Sequence, residues 1–68
     1  MNANEIALRE EYEAECARIS ATCEAIEAST GDYWTIQGAI KANNEALAIA
    51  YRDYMGKRKA LLKAEAVA

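Results

Sequence analysis

Tyr33, Ile40, Leu47, Tyr54 and Leu61 recur at every seventh position through the second half of the chain. Seven residues are close to two turns of α-helix, so the spacing predicts one long helix with a single apolar line along it. Ile36, Ala50, Tyr51, Met55 and Leu62 flank that line and widen the apolar arc to roughly 160° at about 100° per residue. One partner helix covers a narrower seam. The arc therefore predicts more than one packing neighbour. Asn43, Asn44 and Arg58 fall in or beside it. A seam asparagine fixes register at some cost in stability, and the pattern favours a wet-edge position for Asn43 and Asn44.

The first half carries a narrower stripe. Leu8, Tyr12, Cys16, Ile19, Cys23 and Ile26 follow one another at helical spacings of three and four, which puts them on one face. Ala7, Ala14, Ala21 and Ala28 repeat on roughly the opposite side, with Ala3, Ala17 and Ala25 beside them. Alanine fills helix surface well and also lets a second helix approach closely.

Between the two patterns lies one cluster of turn formers, Ala28-Ser29-Thr30-Gly31-Asp32. Gly31 suits a left-handed position closing a first helix, and Asp32 suits the N-cap of a second. Upstream, Asn2 followed three residues later by Glu5 resembles a capping box. The chain has no proline, no phenylalanine and one valine, which argues against a β-sandwich or barrel. We therefore expect an all-α fold, one domain over residues 1–68, with helices at about 3–29 and 33–66 in an antiparallel hairpin. Gly56 marks the weak point of helix two. It either ends that helix after Met55, leaving 57–67 as a third helix, or pairs with Gly38, Ala42 and Ala60 in a strip that allows close contact.

Size limits what such a hairpin can do alone. Of the apolar residues, 16 are alanine, and two helices in one layer leave a side of each stripe wet. Chains this short recover the deficit with disulfides, a metal or self-association. Cys16 and Cys23 lie seven residues apart on one helix, a rise of about 10.5 Å, beyond disulfide reach within the chain. Free thiols are the expectation, with an interchain bridge as the alternative. Without histidine, two thiols make a poor zinc site. Self-association remains, most simply a homodimer forming a four-helix, coiled-coil-like bundle through Ile19, Ile26, Ile40, Leu47, Tyr54 and Leu61.

The residue set also limits chemistry. The absence of histidine removes the commonest general base. The pairs Glu10/Glu13, Glu11/Glu15 and Glu24/Glu27 alternate with arginines on what reads as a solvated face, and no Glu-x-x-His pair exists for a carboxylate metal site. No phosphate-cradling glycine loop or nucleophile–base set is present. We expect no enzyme, catalytic group, cofactor or metal.

Charge is unevenly distributed. Residues 1–30 hold seven glutamates against Arg9 and Arg18, a net −5, while residues 31–68 carry a net +2. Lys57, Arg58, Lys59 and Lys63, with Tyr51 and Tyr54 upstream, form a candidate nucleic-acid surface. In a hairpin, however, that segment returns beside Glu5, Glu10, Glu11, Glu13 and Glu15, and charge compensation explains it without a ligand. Nothing resembles a membrane span or a secretory signal, so a cytoplasmic protein is expected.

Tyr33, Trp34, Tyr51 and Tyr54 are the candidate anchors for another protein. Ile49 projects from the polar side of helix two, and the glutamate ridge of helix one could imitate a phosphate backbone. In general character the chain is similar to small alanine-rich accessory proteins of bacteria and their phages, a likeness of composition without a motif. The expected role is stoichiometric binding of a protein partner as inhibitor, adaptor or regulator. The alternatives are a structural part of an assembly such as a phage particle, or nucleic-acid binding.

Overall fold

A computed structural model describes residues 2–67 and consists of two helices, α1 (Ala3–Ser29) and α2 (Tyr33–Val67), packed antiparallel. No strand occurs among the described residues. The first cap forms as the sequence predicts: Asn2 Oδ1 accepts from the Glu5 amide at 2.9 Å, and Ile6 N donates to the Asn2 carbonyl. Asn2's own amide group donates across the hairpin to Glu65.

The turn differs from expectation. None of the described residues has positive φ, Gly31 included, so the left-handed cap is absent. Thr30 ends α1 in an extended conformation (φ −143°, ψ 150°), and its Oγ1 accepts from the Asp32 amide at 3.1 Å. The Thr30 side chain thereby fixes the turn through the Asp32 amide, with no left-handed residue in it. Asp32 then caps α2, its Oδ2 accepting from the Thr35 amide and hydroxyl at 2.8 and 2.7 Å. These two bonds hold the Asp32 carboxyl below the usual carboxylate range.

α2 runs unbroken through Gly56 to Val67, so no third helix forms. Nor does packing within the hairpin explain its glycines: a Cβ at Gly38 or Gly56 would meet nothing within 4 Å, and Ala42 and Ala60 are exposed.

The molecule is a rod, 54 × 17 × 10 Å, with a radius of gyration of 15.9 Å. A compact chain of this length would have about 11 Å. Its accessible surface is 5063 Å², where a compact chain of this mass exposes about 4,200 Å². Among the described residues only Ile19 (8% exposed) and Cys23 (9%) are buried. One layer of two helices has no inside beyond its seam.

Candidate interaction surfaces

The seam is built from α1's stripe against one side of α2's arc. Leu8, Tyr12, Cys16, Ile19, Cys23 and Ile26 are all buried or half-buried, opposite half-buried Ile36, Ile40, Leu47, Ala50, Tyr54 and Leu61. The six expected oligomer-contact residues, Ile19, Ile26, Ile40, Leu47, Tyr54 and Leu61, thus stand between the helices of a single chain. Asn43 joins them. Its Oδ1 is buried without a hydrogen-bond partner, whereas Asn44 is exposed. The wet-edge position holds for Asn44 only, because α1 covers the side of the arc on which Asn43 lies.

Tyr12 is the aromatic centre of the seam. It stacks on Tyr54 with ring centroids 4.5 Å apart and meets Tyr51 edge-on at 6.2 Å. The adjoining Cys16 thiol, then desolvation, raises the Tyr12 phenol above its ordinary range. Burial similarly pushes up the Cys23 thiol, whose Sγ donates to Glu27. Both cysteines are free. No group of three or more acidic or thiol side chains placed to hold a metal occurs among the described residues.

Three surfaces remain outside the seam. The first is a groove along one face of the layer, in two contiguous parts of about 440 and 240 Å³ that share Arg18, Ile19 and Ala46. Alanines 39, 42, 46 and 50 make it shallow, and half-exposed Ile49 stands in it. Its bordering charges are largely matched: Arg18 pairs with Glu15, and Lys57 with Glu11 across the helices at 3.5 Å. The Arg18 guanidinium holds the Glu15 carboxyl below its usual range.

The second surface is the flank of α2 that α1 leaves bare. Tyr51 (53% exposed), Met55 and Leu62 lie along it. Met55 is about half a turn around the helix from Ala46 in the groove, so groove and flank occupy opposite faces of the layer.

The third is the hairpin tip, where Trp34 is 77% exposed and packs edge-on against exposed Tyr33 at 5.0 Å. Of the four proposed partner anchors, Tyr33, Trp34 and Tyr51 are accessible, while Tyr54 is engaged by Tyr12. In the basic segment, Lys57 is taken by Glu11, and Arg58, Lys59 and Lys63 make no ion pair among the described residues.

No helix of the described residues is long and apolar enough to cross a membrane. Together these features define an all-α helical hairpin with apolar side chains on both faces of one layer. Compared with known proteins, the chain matches no family model, no curated protein and no solved structure.

Proposed function

We propose that the chain is a non-enzymatic interaction protein that self-associates and acts by stoichiometric binding of another protein, as inhibitor, adaptor or regulator. One observation carries this: among the described residues two are buried, while Tyr33, Trp34, Ile49, Tyr51, Met55 and Leu62 are exposed. Scattered exposed apolar residues are ordinary. Here Tyr51, Met55 and Leu62 lie in a row and Tyr33 and Trp34 at a tip, on a molecule whose core is no more than one seam. Tyrosine and tryptophan at an exposed tip are typical anchors for a partner.

The test is affinity capture from host lysate with the wild-type chain and with Trp34→Ala. We expect one protein to be retained stoichiometrically through moderate salt, and its affinity to fall by roughly thirtyfold, a typical loss for an anchor residue. Unchanged binding by the variant removes Trp34 as the anchor.

A second reading has its own observation. Because groove and flank lie on opposite faces, both sides of the layer can take a neighbour, as in a repeating assembly such as a phage particle. Large, polydisperse species of the isolated protein would favour that role over a closed oligomer.

A further inference from the structure

We propose, resting on the self-association just described, that a second copy covers the Tyr51–Met55–Leu62 flank about a two-fold axis parallel to the helices. Each α2 then lies against α1 of both chains, and every neighbouring pair of helices is antiparallel.

Unpaired charge selects this geometry. On the flank side of α2, Arg58 falls within the row and Lys41, Arg52 and Lys59 border it, and none of the four has an ion-pair partner among the described residues. On the same face of the layer, α1 presents Glu13, Glu24 and Glu27 around half-buried Cys16 and Ser20. Arg9, the base on that side, is already matched by Glu13 at 3.6 Å. One half of the face is therefore largely apolar and basic, and the other is small and acidic. Such a face is complementary to itself when turned by a two-fold axis.

The levels also agree. Asn2 meets Glu65, Glu11 meets Lys57 and Tyr12 meets Tyr54, so positions whose numbers add to 66–68 stand level across the hairpin. A two-fold axis along the helices preserves these levels between copies. Lys41 comes level with the stretch between Glu24 and Glu27 of the second copy, whereas Arg52, Arg58 and Lys59 come level with the end that holds its Arg9–Glu13 pair, so Lys41 is the contact that selects the geometry. Reversing the geometry so that α2 faces α2 would set basic borders against each other.

The groove is the poorer seat, since its charges are largely satisfied within the chain and its lining on α2 is mostly alanine.

The experiment is charge reversal with mixing, read by sedimentation equilibrium, with circular dichroism confirming that helix content is kept. K41E alone and E24K alone each set like charges together twice per dimer, and each homodimer should weaken by about tenfold. An equimolar mixture should regain wild-type affinity as a heterodimer, because both contacts are then of opposite sign. An effect confined to one chain cannot be rescued by mixing. A dimer that forms but shows no rescue would overturn this geometry while leaving self-association standing. A wild-type chain that is monomeric at every concentration would overturn both.

Discussion

The two helices of this hairpin are used to different degrees. α1 has a narrow stripe, and every member of it, from Leu8 to Ile26, is buried or half-buried against α2. α2 has an arc about twice as wide as one partner can cover. Its Ile36–Ile40–Leu47–Tyr54 side is engaged, while Tyr51, Met55 and Leu62 face outward. The width of an apolar arc thus counts neighbours. A stripe of three and four spacing asks for one helix, and an arc near 160° asks for two.

The covered side breaks most easily. Ile19→Ala removes the most deeply buried side chain of α1, and we expect a loss of about 2–5 kcal/mol. A chain of this length has only about 3–10 kcal/mol in total, so urea titration followed by circular dichroism should find the variant largely unfolded or close to it. A loss below about 1 kcal/mol would mean the seam is not where the stability lies.

That seam was legible in the sequence because helical periodicity is a local property: spacings of three, four and seven put residues on a face whatever packs against it. The helix limits, the Asp32 cap and the Asn2 cap followed from residue chemistry in the same way. Which side of α2's arc α1 would cover was not legible, because each flank carries apolar residues and the choice depends on how the turn launches α2. Asn43 was assigned to water for that reason. Gly31 misled differently. It offered a left-handed cap, but the loop closes with Thr30 extended and its hydroxyl accepting from the Asp32 amide, and a glycine that is free to adopt positive φ is not obliged to. As for the candidate site, the turn cluster puts Trp34 beside the tip, but its exposure was not legible, since the same place suits an aromatic that closes the end of a bundle. Nor was the separation of Tyr54 from the other aromatics, since it required knowing that Tyr12 lies level with it.

The outer side of α2 is next in size. Nothing lies within 4 Å of a Cβ at Gly56, so Gly56→Ala should stabilise the chain by about 0.8–1 kcal/mol through helix propensity alone, measured as a higher urea midpoint at unchanged slope. Destabilisation would instead reveal a neighbour packed against the Gly38–Ala42–Gly56–Ala60 strip, as a repeating assembly requires.

The smallest expected effect is at the turn that sets the choice of flank. Asp32's carboxyl is held below its ordinary range by Thr35. Its contribution is therefore complete above the unfolded value of about 3.9 and lost as pH falls through the lowered folded value. Asp32→Ala should lower the melting temperature by a few degrees at neutral pH. The gap between variant and wild type should close in acid. A gap that is constant from neutral pH down to strong acid would show that the carboxylate is not the capping group.

The bare flank itself is tested most directly by the solution mass of the reduced protein across a wide concentration range, for wild type and Met55→Glu, by sedimentation equilibrium. We predict that wild type converges on twice the 7.5 kDa chain mass, and that Met55→Glu remains helical at the single-chain mass. A wild-type mass of one chain throughout, or a Met55→Glu variant that dimerises as tightly as wild type, would contradict a second copy on that flank.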